Sequence, residues 1–399
     1  MNITFLIGNG FDLNLGLKTS YKDFYKYYKK KEPKDFIAKS IKSNYELWAD
    51  LEIGLGQFLK DYTKDDIERF LDSKTQLEKH LIDYLIEENK RVEYIDKEKL
   101  SKELRTFVTE ISKDFTKKDR RSFDEVMKNS SSIDYKFITF NYTDVLDNIV
   151  SCSQKYLKPF STHIHGNTRV NDTISMPLHV NGSLDNGLIL GLDNKFQIDN
   201  AQLQDEISLT NYMLKEKLNN ELGEYNKETA ENIIDNSKII CLFGLSIGNT
   251  DDHWWCYLMK WLLKSPNNRL IIFVKDNTTV STNATSKIRY RDKKRISFSN
   301  HNNKLSDAEK DQIHKRTIII QNSNIFSFSG LKLKPNKDDI IKQEIIEKIK
   351  KQVNVSIKDI KDNTPYSEAI IRKYLKELVE EKIITYQLGK HNKKLYKLV

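Results

Sequence analysis

The segment Phe5–Asp12 reads Phe-Leu-Ile-Gly-Asn-Gly-Phe-Asp and lies at the start of the chain. Its apolar residues predict a short buried strand, which Gly8 and Gly10 end before an amphipathic segment begins. A strand, a glycine turn and a helix in this order are typical of the edge where a parallel sheet presents backbone N–H groups to a phosphate. Asp12 can cap the helix or hold a ribose hydroxyl. Leu13 replaces the third glycine of a dinucleotide fingerprint, so an ordinary tight turn remains an equal interpretation.

The composition sets broad limits on the protein. Its 399 residues are 38% hydrophobic and 31% charged, which is typical of a globular protein with room for two or three domains. The three cysteines, Cys152, Cys241 and Cys256, are too few and too scattered for a disulfide framework or a four-cysteine zinc site. The start of the sequence lacks a signal-peptide pattern, and no apolar run approaches the roughly eighteen residues of a membrane span. We therefore expect a cytoplasmic protein with no membrane partner.

The formal net charge is +9, from 66 Lys and Arg residues against 57 Asp and Glu residues. A basic protein is compatible with a nucleic-acid partner. The chain is also rich in Lys, Asn, Ile and Tyr, as coding from an AT-rich genome would produce. Charge alone therefore does not identify DNA as a partner.

Repeated strand–turn–helix units predict an α/β fold, a Rossmann-like parallel sheet with helices on both faces. A helical pattern with apolar residues three and four apart predicts a helical insertion over about residues 21–130. Ligands of such sheets bind at the carboxyl ends of the strands, where the polar signatures of this sequence fall. Beyond residues 3–7, the predicted strands of the first domain are Phe137–Phe140, Thr162–Gly166, Leu188–Asp193, Lys238–Phe243, Leu270–Val274 and Arg316–Gln321.

A linker at Leu331–Lys337 divides the predicted domains into residues 1–335 and 336–399. The second domain has the order of a winged helix-turn-helix, three helices followed by a hairpin. Its role is open between DNA binding and a protein–protein or dimerisation contact. The basic residues that suit DNA are Arg372, Lys373 and Lys376 on the last helix and Lys390, His391, Lys393 and Lys394 on the wing.

Polar residues at two strand ends are the candidates for chemistry. Asn141 directly follows a strand and offers a donor and an acceptor at a fixed point, which suits holding a ribose hydroxyl or orienting a water. Asp144, three residues later, can instead cap a helix. His165 precedes Gly166 and is the natural candidate for a general base. His163 lies two residues earlier on the same strand face and is the candidate for a histidine with a structural role.

In their order along the chain, several segments together resemble the bacteriophage abortive-infection AbiH family. That pattern in turn resembles sirtuin-like NAD-binding domains. The resemblance covers roughly residues 1–275 and does not extend beyond about residue 335. The segments that carry it are Gly8–Asp12, Gly16–Phe24, Trp48-x-x-Leu51-Glu52, Thr139–Asp144, His165-Gly166 and Gly244–Ser246 with Asp251.

The resemblance implies roles for individual residues around NAD. Catalysis is assigned to Asn141, which would hold the ribose and position water, and to His165, which would polarise a ribose hydroxyl or act as base. The implied contacts to NAD are grouped by the part of the ligand they touch: Gly8, Asn9, Gly10 and Phe11 at the pyrophosphate and nicotinamide ribose, Thr19, Ser20 and Tyr21 at the nicotinamide side, Gly244 and Ser246 at the adenosine half, with Asp12, Asp144 and Asp251 completing the set.

The implied reaction follows from a departure from the sirtuin pattern. Sirtuin deacylases resemble one another in a four-cysteine zinc module, which three isolated cysteines cannot form. Water attack is then favoured, giving hydrolysis of NAD, as substrate, to ADP-ribose and nicotinamide without a metal. Such a defence effector must be silent in a healthy cell, which implies a phage-derived trigger or a partner protein; a homo-oligomer is a further possibility.

Two other functions fit parts of the sequence. Gly244-x-Ser246-x-Gly248 matches the nucleophile elbow of serine hydrolases, with Asp276 and either His301 or His314 following in the hydrolase order. The second alternative is a nucleotide-sensing regulator that binds DNA through residues 336–399 and has no catalytic activity.

Overall fold

The computed structural model describes residues 1–128, 130–223, 225–275, 283–351, 354–388 and 393–399. Asp276 of the hydrolase alternative and Lys390 and His391 of the predicted wing lie outside these ranges. The chain divides into two compact units, Met1–Lys332 and Leu333–Val399.

Twelve strands are described in or at the end of the first unit, and most join one sheet. Short apolar runs such as Ile239–Leu242 form its central strands, because a parallel sheet is buried on both faces. The strands are β1 (Asn2–Ile7), β2 (Val92–Tyr94), β3 (Asp134–Thr139), β4 (Ser161–His165), β5 (Thr168–Ile174), β6 (Leu178–His179), β7 (Gly182–Ser183), β8 (Gly187–Leu188), β9 (Ser237–Phe243), β10 (Arg269–Val274), β11 (Thr317–Gln321) and β12 (Leu331–Leu333).

The strand order of the sheet is β11-β10-β9-β1-β3-β5-β4, and β6 pairs with the end of β3. All of these pairs are parallel except β4 with β5. The predicted α/β class with a largely parallel sheet is therefore confirmed. Ile7 is in register with Thr139 of β3 and with Phe243 of β9, so three central strands end at the same level.

Glycines let the turns after β1 and β9 touch. Gly8 N–H donates to Phe243 O at 2.9 Å, and Gly10 N–H donates to Gly244 O at 2.8 Å. A Cβ on Gly10 would lie 2.4 Å from Gly244 Cα, and Gly244 itself has a φ of +70°. Both glycines are therefore required by backbone contact rather than by general flexibility.

Helices fill the connection between β1 and β3 and cover both faces of the sheet. Side chains of α2 to α5 and α9 form one buried cluster, and the sheet packs with α11 and α12 in another. The helices are α1 (Gly10–Asn14), α2 (Tyr21–Lys31), α3 (Phe36–Ser43), α4 (Leu51–Phe58), α5 (Ile67–Asn89), α6 (Lys97–Thr109), α7 (Lys117–Met127), α8 (Val145–Tyr156), α9 (Ile207–Met213), α10 (Lys215–Leu222), α11 (Asn226–Asp235), α12 (Asp252–Lys264), α13 (Ala284–Ser299) and α14 (Asp307–Arg316), with short 3₁₀ helices at Lys64–Asp66, Lys195–Gln197 and Asn249–Asp251.

The second unit contains α15 (Lys337–Lys351), α16 (Ile357–Asp362) and α17 (Glu368–Glu380), followed by the antiparallel strands β13 (Ile384–Leu388) and β14 (Lys394–Leu398). Apolar side chains three and four apart on the helices build its own core, which Tyr396 of β14 completes. Within the described residues of the whole chain, no helix combines the length and the apolar character that crossing a membrane requires.

We predict that Gly10→Ala destabilises the protein by about 1–3 kcal/mol, because its Cβ would push the β1 and β9 turns apart. Urea unfolding measures the change. Gly248→Ala is the matched control, since a Cβ there meets no atom within 4 Å and its φ is −111°. Equal stability of Gly10→Ala and wild type would contradict the close contact of the two turns.

Candidate functional site

A cavity of about 170 Å³ lies at the carboxyl ends of β1, β3 and β9. Because these strands end in register at the centre of the sheet, the residues that follow them converge on one point. Helices α4 and α5 cover the other side through Glu52, Leu81 and Leu85. The site therefore combines strand-end polar groups with a helical cover.

The structure brings most of the predicted site residues to this cavity. The members that line it are Gly8, Asn9, Asp12, Thr19, Tyr21, Asn141, Gly244, Ser246 and Asp251. The predicted residues that do not line it are Gly10, Phe11, Ser20, Asp144 and His165.

The glycine turn uses its own N–H groups inside the protein. Besides the bonds of Gly8 and Gly10 to the β9 turn, Phe11 N–H donates to Gly8 O at 2.9 Å. These three N–H groups are therefore already engaged in hydrogen bonds within the protein. The sequence predicted that they would point at a phosphate, and they do not. Phe11 is fully buried against Phe326. Asn9 instead donates from Nδ2 to the main-chain oxygen of Thr19 and accepts at Oδ1 from the Thr19 hydroxyl, which ties the turn to the segment before α2.

Asp12 is a buried carboxyl group in the cavity wall. Its side chain is 2% exposed, and Oδ2 accepts a hydrogen bond of 2.7 Å from the Thr143 hydroxyl. Burial raises the pKa of Asp12 to about 7, an effect that the side chains of Thr143 and Asn141 only partly offset. A carboxyl group with this pKa is half ionised near neutral pH and suits a general base.

Asn141 is held by its backbone and leaves its side-chain oxygen free of protein partners. Its N–H donates to Thr139 Oγ1 at 3.1 Å, and its carbonyl oxygen lies 2.9 Å from His179 Nδ1. Oδ1 of Asn141 and Oδ1 of Asp12 are both buried without a hydrogen-bond partner within the described structure. Two unpartnered oxygens in one cavity are positions at which a bound molecule, water included, would donate hydrogen bonds.

His179 is a residue that the sequence reasoning missed. Its Nε2 lies 3.0 Å from Asp147 Oδ2 while Nδ1 faces the Asn141 carbonyl oxygen. Both partners accept, so the two contacts together favour the protonated imidazole, which donates from both nitrogens. Burial opposes this charge, but the bond and charge of Asp147 outweigh it and raise the pKa of His179. The sequence carries a partial signal, since His179-x-Asn181-Gly182 shares only the spacing of its His and Gly with His163-x-His165-Gly166.

His165 lies far from Asn141. It pairs with Thr168 in the β4–β5 hairpin, and β5 meets only the first residues of β3, with Thr173 opposite Asp134. Strand spacing then separates His165 from Asn141 by on the order of 30 Å. The sequence placed His165 at the ligand-binding edge because it treated β4 as a parallel strand; β4 is antiparallel, which directs its end to the opposite edge.

Two other predicted residues have local structural partners. Ser20 is the N-cap of α2 and accepts from Asp23 N–H at 3.2 Å. Asp144 accepts a hydrogen bond of 2.6 Å from the Asn89 side chain and, together with His179, lines a separate cavity. His163 Nδ1 lies 2.9 Å from Asp172 Oδ1, in agreement with the structural role considered for His163.

A buried ion-pair cluster forms part of the cavity wall. Glu52 lies 2.9 Å from the Lys215 ammonium group, and Asp251 lies 3.8 Å from it. Burial raises the pKa of Glu52 to about 8 despite Lys215, and it also raises the pKa of Asp251. Burial opposes the charge of Lys215, but the surrounding carboxylates, Glu52 first, raise its pKa. No motif of the sequence indicates Lys215, and Glu52 belongs only to the segments that carry the family resemblance.

The nucleophile-elbow pattern does not assemble a triad among the described residues. Ser246 lines the cavity, but no histidine does. His301 pairs with Asp252, and His314 Nε2 lies 3.0 Å from Ser299 Oγ. The left-handed residue of the segment is Gly244 and not Ser246, so the serine lacks the strained turn of an elbow.

A second, larger cavity of about 1050 Å³ adjoins the first. The two share Asn9 and Gly244–Ser246 in their walls. The larger one follows the carboxyl ends of β9 and β10 and includes the cations Lys275 and Lys294. A ligand longer than one ring could therefore extend from the first cavity over Gly244–Ser246 into the second.

Comparison with known proteins identifies one family. The family model described as bacteriophage abortive infection AbiH matches residues 4–274. No curated protein matches the chain.

We predict that Asp12→Asn stabilises the protein against unfolding and that this gain in stability increases as pH rises. The stability that Asp12 contributes is present below its unfolded pKa of 3.8 and is lost as pH rises through its folded pKa of about 7. The substitution removes this loss, so the gain should be small at pH 4 and reach at most about 4 kcal/mol at pH 8. Urea unfolding at both pH values measures it; a gain that does not grow with pH would contradict the raised pKa.

Proposed function

Since the chain belongs to the AbiH family of bacteriophage abortive infection, we propose that it is an antiphage effector that hydrolyses NAD to ADP-ribose and nicotinamide. Family membership itself indicates a role in abortive infection. The observation that carries the enzymatic proposal is the pair of buried, unpartnered oxygens of Asp12 and Asn141 in one strand-end cavity. We extend the proposal to a sirtuin-like NAD-binding fold for the first unit.

In the proposed complex, the nicotinamide ring occupies the smaller cavity and the remainder of NAD crosses Gly244–Ser246. The phosphates and adenosine then lie in the larger cavity, where Lys275 and Lys294 supply positive charge. This differs from the expected cradle at Gly8–Phe11, whose N–H groups are already engaged. The geometry supports this placement because the two cavities share one wall.

The proposed reaction needs orientation and one proton acceptor. The bond between the ring nitrogen and C1′ of the ribose breaks, its electron pair goes to the nitrogen, and a cationic sugar remains. Water attacks C1′ and gives its proton to the Asp12 carboxylate, while Asn141 orients the ribose and the water. Asp12 takes the base role that the sequence assigned to His165, because its carboxyl group is in the cavity and its pKa is about 7.

Loss of NAD would arrest phage replication together with the cell, which is the proposed biological outcome. We propose that the protein acts in the cytoplasm on the NAD pool there. A phage-derived trigger or partner protein and a homo-oligomeric active form belong to the same proposal.

We propose that the second unit is a winged helix-turn-helix. Residues 333–399 contain sixteen Lys and Arg against ten Asp and Glu, which supports a DNA partner. The exposed cations of α17 are paired within the helix, however, Arg372 with Glu368 and Lys376 with Glu380 at 3.9 Å. These pairs reduce the positive charge that α17 would offer to DNA, so a protein contact is the competing role.

We predict that purified protein consumes NAD and forms ADP-ribose and nicotinamide in equal amounts, either alone or after phage-infected lysate is added as activator. Asn141→Ala and Asp12→Asn should each lower turnover by about 100-fold or more, because they remove orientation and the proton acceptor. Chromatography of nucleotides and nicotinamide measures all three species.

The matched control is His165→Ala, which should retain turnover because His165 lies at the opposite edge of the sheet. Turnover that depends on His165 and not on Asp12 would contradict the proposed mechanism. Absence of NAD turnover under both conditions would contradict the enzymatic function, and ester hydrolysis lost in Ser246→Ala would favour the hydrolase.

A further inference from the structure

Helix α13 carries a large excess of positive charge. Its 16 residues include six Lys and Arg and a single acidic residue, Asp292. Among the described helices, α13 has the largest excess of cations over acidic residues. We call residues 284–293 the basic arm, and every residue from 284 to 289 is exposed. The first part of the helix therefore has no packed face.

The second half of α13 anchors the basic arm. Phe298 and Ser299 are buried, and Arg295 Nε donates to the main-chain oxygen of Thr317 in β11 at 2.9 Å. Lys294, directly after the arm, lines the larger cavity that follows the ends of β9 and β10. The arm therefore extends from a fixed base in the wall of the candidate site.

The positive charge of the basic arm is not neutralised within the described structure. The arm cations without an ion-pair partner among the described residues are Lys287, Arg289, Arg291 and Lys293. The acidic groups nearby are already engaged. Asp292 pairs with Arg295 at 3.0 Å, and Asp311 of the adjoining α14 pairs with its own neighbour Lys315. Exposed cations without partners attract a polyanion.

These unpaired cations occupy two opposite sides of the helix. Residues four apart lie on the same side, which groups Lys287 with Arg291. Arg289 and Lys293 form the second row, turned from the first by about 200°, because each residue turns an α-helix by about 100°. The major groove of B-form DNA is about 12 Å wide, admits an α-helix and has a phosphate strand along each side. Two rows of cations on one helix match this arrangement.

Other polyanions match the basic arm less well. A lipid surface needs an apolar face on the helix, whereas Ile288, which is 58% exposed, lies between the two rows of cations. An acidic protein surface would contact only one of the two rows. The major groove of A-form RNA is too narrow for side chains to read. Duplex DNA is therefore the partner that the arrangement favours.

We infer that the basic arm of α13 docks in the major groove of duplex DNA and contacts the phosphate strands on both sides of the groove. The bound DNA then lies beside the larger cavity, because Lys294 follows the arm directly. This surface belongs to the first unit and is separate from the DNA contact considered for the second unit. The inference goes beyond the proposed function and does not depend on hydrolysis of NAD.

Lysine acetylation of the full chain, read by mass spectrometry, tests the inference site by site. The probe is a short duplex DNA of mixed sequence at low salt. We expect the duplex to slow acetylation of Lys287 and Lys293 severalfold, because phosphates cover their ammonium groups. Lys117 and Lys118 of α7 are exposed controls that should react as in the free protein.

Three outcomes of the acetylation experiment would overturn the inference. The first is that the duplex leaves both arm lysines unprotected, and the second is that it protects only lysines of the second unit. The third is that single-stranded DNA or polyglutamate protects the arm as well as the duplex does, since this would reduce the surface to unspecific charge.

A charge-removal variant tests the same surface by affinity. It combines Lys287→Ala, Arg289→Ala and Lys293→Ala. Fluorescence anisotropy should show a loss of affinity for the duplex of about tenfold or more at low salt, and the slope of log K against log salt should shrink by about two to three. The matched control removes the same charge from exposed positions of α7, with Lys117→Ala, Lys118→Ala and Arg121→Ala. Unchanged affinity and slope in the arm variant, or an equal loss in the control, overturns the inference.

Basal NAD turnover separates this inference from the proposed function. The three substituted arm residues are not among the described residues that line either cavity of the candidate site, so the arm variant should keep the turnover of the wild type. Protection of the arm by DNA without NAD turnover in the wild type would retain the inference and contradict the enzymatic proposal. NAD turnover without protection of the arm would do the reverse.

Discussion

The close backbone contact between the turns after β1 and β9 is the constraint on which the rest of the structure depends. Gly10 and Gly244 approach so closely that no side chain fits between them, and hydrogen bonds hold the two turns together. This contact fixes the floor of the cavity and directs the start of α1, which carries Asp12, towards the end of β3. The glycines therefore shape the site by packing, while the polar chemistry comes from side chains on neighbouring strand ends.

Burial then gives those side chains their chemical character. Asp12 and Glu52 have pKa values raised towards neutrality because α4, α5 and the sheet shield them from water. Such groups weaken the folded protein at neutral pH, since ionised carboxyl groups are better solvated in the unfolded chain. The retention of several of them in one small cavity is consistent with a site in which stability is exchanged for function.

The local sequence was sufficient for the central strands, but it missed β2 inside the predicted helical insertion, predicted a strand over Leu188–Asp193 of which only Leu188 is in a strand, and did not show how the elements are arranged. Apolar runs ended by glycine or asparagine predicted β1, β3 and β9, and strand ends predicted that Asp12 and Asn141 would converge. Pairing direction is a long-range property, so the pattern around His165 could not show that β4 is antiparallel or that His179 lies beside Asn141. The contact of Glu52 with Lys215 joins positions 163 residues apart, and no local pattern encodes it.

In the proposed mechanism one group, the Asp12 carboxylate, accepts the proton of the attacking water. The most direct measurement is the pH dependence of kcat/KM for NAD cleavage, which reports the ionisation of the free enzyme. Because the base must be ionised, kcat/KM should rise with pH through an apparent pKa near 7 and then level off. A profile that is flat from pH 5 to pH 8, or that falls across this range, would contradict the role of Asp12 and with it the proposed mechanism.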